Sequence, residues 1–400
     1  MLQHIYHFLI MVHRRIINIM NYLPSEKKKS LKIENADLLH PKEQRVQIAK
    51  ITPISRDTKL FTFQSIDGGP LAYFAAGQYL SVRYKNTTRP YSIVSSPKQS
   101  IRGIYRIAVK KVMGGEVSNY FYSHARVGQV LEISAPMGDF TYSPIRDGKR
   151  ILAIAGGSGI TPFISMCQSI LEGTGDFELT ILYGSVTKQD ILFYHNLKKW
   201  TQKSDKIHVL HVLSGEDVSG RNFGCDSEDA QQRIFGFGSE ETGHQGQEFA
   251  KGYITRDLIE MYLQKESSIF VCGPEAMVSH IKKELEQLTT APKNVRYEIM
   301  NHYCNRQLQT SYPLTLHWHG QTVETTCHSD EPLIKAIENS NLPIQTACRS
   351  GICGLCHTKV LRGSYYVPKE QDGRRCADKT YNYIHPCVTY PDSAMVLELP

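Results

Sequence analysis

The sequence predicts a multidomain chain: an antiparallel β-barrel, then a doubly wound α/β unit, then a small α+β unit of β-grasp type. Three observations carry this. Residues 44–145 hold short β-branched and aromatic runs between turn residues. Residues 146–303 alternate strand and helix patterns around a Gly-rich turn. Residues 304–400 combine a hairpin signal, a short helix pattern and a clustered set of cysteines.

The chain has 400 residues, more than one ordinary core accommodates, so two or three domains are expected. Its 41% hydrophobic and 21% charged residues exclude the disordered classes. No run approaches the roughly 18 uncharged apolar residues of a spanning helix. The net charge of +7 is spread along the chain and suits a membrane surface or an acidic partner as well as nucleic acid. Without a helix-turn-helix, zinc-finger or RNP-like pattern, no nucleic-acid partner is expected. Six cysteines (Cys167, Cys225, Cys272, Cys304, Cys327 and Cys376) are scattered, and four (Cys348, Cys353, Cys356 and Cys387) form an array. That distribution points to a metal site in a reducing, cytoplasmic compartment rather than a disulfide scaffold.

In the leading segment, 1–43, Ile5, Phe8, Leu9, Val12, Ile16 and Ile19 recur at helical spacing opposite His7, Arg14, Asn18 and Asn21. The expectation is an amphipathic helix over 1–21. It either lies peripherally in the inner-membrane interface or packs on protein, unless translation starts at Met20. Arg14 and Arg15 interrupt the apolar run and argue against a secretory signal. Glu26–Ser30 reads as a solvated linker.

In the barrel region, Val46–Ile51, Lys59–Gln64, Tyr79–Tyr84, Tyr105–Val112 and Val130–Ile133 read as strands, and Val117–His124 as a short helix. Within Arg89-Pro90-Tyr91-Ser92, strand alternation puts Arg89 and Tyr91 on one face and Ser92 on the other. Gly114-Gly115-Glu116-Val117-Ser118 opens the helix with unpaired amides suited to a pyrophosphate.

In the α/β region, Ile151–Ala155 is a buried strand, followed by the turn Gly156-Gly157-Ser158-Gly159, then Ile160-Thr161 and an apolar helix over Pro162–Leu171. This arrangement lets backbone approach a pyrophosphate, although it is not the usual G-x-G-x-x-G. Leu179–Tyr183, His208–Leu213 and Ser268–Val271 are further strands, with helices at Ile191–Trp200, Ile254–Tyr262 and Glu275–Leu288. Residues 214–251 read as a surface insertion. Cys272-Gly273-Pro274 falls at the C-terminal edge of a strand, where open α/β sheets bind ligands. A buried Cys there is also commonly just a small hydrophobe.

In the last unit, Leu314–His319 and Thr322–Thr326 flank a hairpin turn, Asp330 is expected to cap a helix over Pro332–Asn339, and Ala394–Leu399 closes the sheet. Cys348-x4-Cys353-x2-Cys356 with a distant fourth cysteine is the plant-type [2Fe–2S] spacing. Gly351 and Gly354 let the loop turn tightly and bring N–H groups near the sulfurs. A zinc ribbon favours two Cys-x2-Cys pairs, and only one exists here. The fourth ligand is Cys387, expected at the mouth of the last strand region, in preference to Cys376 in its polar loop.

The segment Ala347–Cys356 and His385-Pro386-Cys387-Val388-Thr389-Tyr390-Pro391 resemble the cluster loop and last-ligand segment of plant-type ferredoxins. The Arg-Pro-Tyr-Ser and Gly-Gly-Glu-Val-Ser motifs, with Ala76–Tyr79 and Pro136–Phe140, resemble the flavin barrel of the ferredoxin–NADP reductase superfamily. The order of domains looks like that of reductases serving oxygenases, desaturases and hybrid-cluster proteins.

The resemblance implies domains at 44–145 (FAD), 146–303 (NAD(P), with the insertion at 214–251) and 304–400 (ferredoxin). It implies FAD held by Arg89, Pro90, Tyr91, Ser92, Gly114, Gly115, Val117 and Ser118. It implies NADH or NADPH held by Gly157, Gly159, Thr161, Pro162, Ser185, Cys272, Gly273 and Pro274. Ser92 would face flavin N5, Cys272 would orient the nicotinamide, and Glu298 would be the acidic residue near the flavin, although Ile299 and Met300 follow it where an aromatic is usual.

The layout implies hydride transfer from nicotinamide C4 to flavin N5, then single electrons to the cluster and on to a protein acceptor. That acceptor is an oxygenase, desaturase or hydroxylase component. The alternatives are a soluble acceptor such as a hybrid-cluster protein, or a redox-sensing subunit without turnover. Lys188 is the one obvious cation in Gly184–Asp190 for a 2′-phosphate, which favours NADH.

Overall fold

Strand edges and turn residues organise the described residues into three sheets and a small ribbon. The computed structural model describes residues 43–85, 87–215, 248–299 and 310–400. The expected helix over 1–21, the linker, most of the insertion, Cys225, Cys304 and Met300 lie outside the described residues.

The first sheet is antiparallel. It comprises β1 (Glu43–Pro53), β2 (Thr58–Ser65), β3 (Tyr79–Tyr84), β4 (Thr87–Ser92), β5 (Ile104–Lys110) and β6 (Val130–Ser134), in the order β4-β3-β6-β1-β2-β5. The two edges approach each other through a bridge between Ile93 and Ile107, which nearly closes the barrel. Its interior is the apolar set expected of alternating strands, including Val46, Ile48, Phe61, Phe63, Leu80 and Val82. Helices α1 (Pro97–Ile101) and α2 (Glu116–Ser123) flank the barrel, and Phe121 of α2 packs edge-on against Phe61. Pro90 lies in edge strand β4, the place where a missing N–H costs no ladder bond.

The second sheet is parallel, in the order β10-β9-β8-β7-β11-β12. Its strands are β7 (Arg150–Gly156), β8 (Glu178–Ser185), β9 (Ile207–Leu213), β10 (Phe249–Lys251), β11 (Ser268–Gly273) and β12 (Asn294–Ile299). Helices α3 (Thr161–Leu171), α4 (Tyr194–Thr201), α5 (Arg256–Tyr262) and α6 (Glu275–Leu285) connect or cover them. Apolar cores on both faces make this a doubly wound layer structure. Two expectations need correction. The insertion does not extend to 251, because Phe249–Lys251 pairs with β9 as the edge strand. Asn294–Ile299, where no strand is expected and only Glu298 is singled out, is the opposite edge strand.

The third sheet has the order β14-β13-β19-β15-β17, from β13 (Ser311–Trp318), β14 (Gln321–His328), β15 (Thr358–Arg362), β17 (Tyr383–Ile384) and β19 (Met395–Glu398). β16 (Tyr365–Tyr366) and β18 (Tyr390–Pro391) form the ribbon. The hairpin turn His319-Gly320 has positive φ at both residues (45° and 81°), the geometry that twists two strands together. Helix α7 (Leu333–Asn339) lies over this sheet, and the short helix α8 (Cys376–Thr380) follows the ribbon strand β16. Asp330 does not cap α7. Pro332 holds the N-cap position, and the Leu333 N–H bonds Thr389 O at 2.9 Å, tying the helix to the segment that carries Cys387.

Candidate functional site

Each motif occupies a strand end or a helix start, and the domain packing brings these ends together. On β4, Arg89, Pro90 and Tyr91 are half-buried and Ser92 is buried opposite Tyr79 of β3. Arg89 Nη1 donates to Thr87 Oγ1 at 2.6 Å and to Thr88 O at 2.8 Å. Burial pushes the Tyr91 phenol well above its ordinary range.

At the start of α2, Gly114 has φ of +71° with open space where a Cβ would project. Gly115 is the N-cap. Ser118 Oγ accepts the Val112 N–H at 3.3 Å and donates to Gly115 O at 3.2 Å, while Val117 anchors the helix in the barrel core. The open turn followed by free first-turn amides fits a flavin phosphate.

The turn after β7 fits a dinucleotide phosphate in the same way. Gly157 has φ of +52° and open space above it, Thr161 Oγ1 bonds Ser158 O at 2.8 Å, and Pro162 sits in the first turn of α3. Gly159 also has a packing role. Its Cβ would lie 2.1 Å from Cys272 O, so this glycine lets β11 pack against the turn. Ser185 ends β8, and its carbonyl takes the Ser214 N–H at 3.0 Å. Lys188 places its Nζ 4.5 Å from the Phe249 ring centroid. Beside it, Asp190 accepts from Thr187 N and Oγ1 at 2.9 and 2.8 Å, so the segment also presents a carboxylate.

Cys272 and Glu298 are register partners on adjacent strands, with Sγ 3.8 Å from Oε2. Burial raises Glu298 to about 7. Burial and the nearby carboxylate push the Cys272 thiol well above its ordinary value, so it stays neutral at physiological pH. Gly273 and Pro274 continue to the start of α6, and Met277 fills the space beside Gly273 and Gly156.

The cysteine loop lies against the barrel. Cys356 and Cys387 sulfurs are 3.5 Å apart, and the Ser350 and Cys353 amides each point at Cys348 Sγ from 3.4 Å. Gly351 and Gly354 have φ of +76° and +72°, and a Cβ on Gly351 would meet Gln371 O at 2.4 Å. Buried His385 bonds Gly351 O through Nδ1 at 2.6 Å and so pins the loop to the Cys387 segment. Cys376, the rejected fourth ligand, is exposed at the start of α8. Amides aimed at a sulfur, among cysteines brought together from 348–356 and 387, fit an iron–sulfur cluster.

Sequence reasoning gave no role to Tyr79. Its ring contacts the Gly138 turn. Burial pushes its phenol far upward. Its backbone pairs with Ser92 of β4 and bridges Met137, so it lies beside the flavin motif. Arg349 was also missed: its Nη2 donates to Thr87 Oγ1 at 2.7 Å and it pairs with Glu338. Its neighbour Ala347 accepts the Ser81 hydroxyl at 2.9 Å.

Three family models match: an oxidoreductase FAD-binding domain over residues 45–142, an oxidoreductase NAD-binding domain over 153–224 and a 2Fe-2S iron-sulfur cluster binding domain over 316–392. The chain is 29% identical over 330 residues to a subunit of the 1,2-phenylacetyl-CoA epoxidase of Escherichia coli, covering 79% of this chain and 86% of that protein. It is 25% identical over 378 residues to the glycine betaine monooxygenase reductase subunit of Chromohalobacter salexigens, covering 88% and 94%. Among solved structures, a phthalate dioxygenase reductase superposes with a TM-score of 0.59 at 23% identity, covering 89% of this chain and 98% of that one.

Proposed function

We infer that this chain, which belongs to the ferredoxin–NADP reductase superfamily and carries a C-terminal plant-type [2Fe–2S] ferredoxin domain, is the NAD(P)H-dependent reductase component of a multicomponent oxygenase. Bound together, NAD(P)H, FAD and the cluster would supply conversion of a two-electron donor into single electrons for a protein acceptor.

The observation that carries this reading is the docking of the cysteine loop on the strand pair that bears the flavin motif: Ala347 accepts from Ser81 of β3 at 2.9 Å and Arg349 donates to Thr87 of β4 at 2.7 Å, beside Arg89–Ser92. In this reading Arg89, Pro90, Tyr91, Gly114, Gly115, Val117 and Ser118 hold the flavin, and Ser92 faces its reactive edge. Gly157, Thr161, Pro162, Ser185, Gly273 and Pro274 hold the nucleotide, with Gly159 shaping the turn beneath it. Cys272 remains a neutral thiol that orients the nicotinamide, and Glu298 is positioned to hold or release a proton beside it. Cys348, Cys353, Cys356 and Cys387 ligate the cluster. NADH is the favoured donor, because Asp190 sits beside Thr187 where a 2′-phosphate would need cations.

Among the described residues no helix is long and apolar enough to cross a membrane.

The test is anaerobic mixing with NADH. Rapid flavin bleaching followed by cluster reduction and cytochrome c turnover is expected, whereas slow bleaching without turnover would indicate a sensor. Cys387→Ser should abolish both the cluster's paramagnetic signal after dithionite and cytochrome c reduction, while flavin bleaching persists. Cys376→Ser should retain all three signals, and a lost signal there would reverse the ligand assignment.

A further inference from the structure

We propose that Arg349 of the cluster loop is a ligand of the flavin phosphates, so that the ferredoxin domain completes the FAD site of the barrel. The proposal rests on the flavin reading above and names a residue that neither motif assigns to flavin.

The geometry begins with an imbalance of charge. Arg349 and Arg89, 260 positions apart in the chain, both donate to the single hydroxyl of Thr87, at 2.7 and 2.6 Å. Two guanidinium groups therefore meet at one oxygen in a seam where the Arg349 side chain is only 13% exposed. Glu338, 10% exposed, is the carboxylate that pairs with Arg349 there. Arg349 Nε is buried and has no hydrogen-bond partner, although a guanidinium carries donors in a rigid fork suited to phosphate. Beyond Glu338 and the cluster thiolates on the loop side, a further anion on the β4 side would lower the cost of burying two guanidinium groups together.

The backbone supports the same reading. Arg349 has φ of +51°, in the left-handed region that a residue with a Cβ seldom occupies. From there the guanidinium pairs with Glu338 of α7 in its own domain and reaches Thr87 of β4 across the seam.

The start of α2 provides the second anion-attracting feature. Lys85, at the turn between β3 and β4, forms an ion pair with Glu116 of α2 at 3.4 Å, and Tyr84 stacks on Tyr120 with ring centroids 3.9 Å apart. The hairpin bearing Thr87 and Arg89 is thus fixed beside the open Gly114-Gly115 turn. Two arginines from different domains and a helix amino end converge on one neighbourhood. A flavin carrying a pyrophosphate has the charge and acceptors to satisfy them, and riboflavin does not.

If the phosphates bridge the two domains, flavin binding and docking of the cluster loop strengthen each other by the same factor.

The test uses the full-length chain with its cluster retained and its flavin removed, titrated with FAD and, separately, with riboflavin, following quenching of flavin fluorescence. Arg349→Ala should weaken FAD by about tenfold or more, as expected for a lost charge-assisted hydrogen bond to phosphate. It should change riboflavin affinity by less than about twofold and leave the cluster's paramagnetic signal intact. Arg349→Lys should recover part of the FAD affinity. Glu338→Gln, which removes a competing anion and leaves both guanidiniums in place, should bind FAD at least as tightly as the native chain.

Unchanged FAD affinity in Arg349→Ala, equal loss of FAD and riboflavin, or weaker FAD binding in Glu338→Gln would each overturn the proposal. A native chain that binds no flavin at all would instead overturn the electron-transfer reading on which it rests.

Discussion

The barrel meets its two neighbours in opposite ways. Toward the α/β domain the contact is a continuous apolar core: Val94, Ala108 and Phe140 of the barrel side pack in one cluster with Ile151, Phe163, Met166 and Phe270. Hydrogen bonds from Ser165 to Ser95 O and from Gln168 to Val94 O, at 2.8 and 2.6 Å, fix its register. Arg296 binds the fully buried Asp147 carboxylate at 2.6 Å and also reaches Asp139 O.

Toward the ferredoxin domain the contacts are polar and few: Ser81 to Ala347, Thr88 to Thr346, and Arg349 to Thr87. Among the described residues no apolar cluster of the ferredoxin domain contains a barrel residue. Apolar burial fixes geometry, whereas a small polar seam resembles a transient interface whose halves separate readily. The nicotinamide end is therefore built as one body with the barrel, and the cluster end as a docked module.

The largest expected effect tests the apolar seam. Phe140 is 6% exposed and packs against Phe163 and Phe270 at centroid distances of 5.7 and 5.2 Å. Phe140→Ala should cost about 3–5 kcal/mol and lower the calorimetric transitions of barrel and α/β domain together. Two transitions that separate, with only one moving, would break the description of these domains as one body.

A smaller effect comes from Glu298. Its pKa is raised by burial from 4.5 to about 7 in the folded chain. Between these values the folded form holds a proton that the unfolded chain has released, so stability falls as pH rises through that window. The loss reaches at most about 3 kcal/mol above pH 7, less to the extent that solvent reaches the carboxyl. Glu298→Gln should flatten this slope in urea unfolding measured from pH 4 to pH 8; an unchanged slope would remove Glu298 as its source.

The smallest effect belongs to the polar seam. Ser81→Ala with Thr88→Val should cost only about 1 kcal/mol per hydrogen bond in docking and leave the main unfolding transition in place. It should slow electron passage from flavin to cluster in stopped flow while NADH-driven flavin bleaching keeps its native rate. If bleaching slows equally, the two seams are not independent.

Local chemistry made much of this legible. Cysteine spacing, the Arg-Pro-Tyr-Ser strand and the Gly-rich turns are short-range signals, since each depends on residues within one loop or strand. The misread elements are those whose local pattern is weak. Asn294–Ile299 is a half-exposed edge strand without a continuous apolar run, and Phe249–Lys251 is three residues long beside a Gly- and Gln-rich stretch. Asp330 looked like a cap, but the first amide of α7 found its acceptor in Thr389, 56 positions downstream of Leu333.

By itself, then, the sequence determined the order of three folds, the cysteine array and the motifs suited to flavin and nicotinamide. Periodicity, turn chemistry and ligand spacing act over a few residues and are written directly in the chain. Only the tertiary structure decided that Gly159 makes room for Cys272, that Ala347 of the cysteine loop docks on Ser81 of β3, and that Arg89 and Arg349 share one hydroxyl. These contacts join residues far apart in the chain, and their positions follow from how the sheets pack and which domain edges meet.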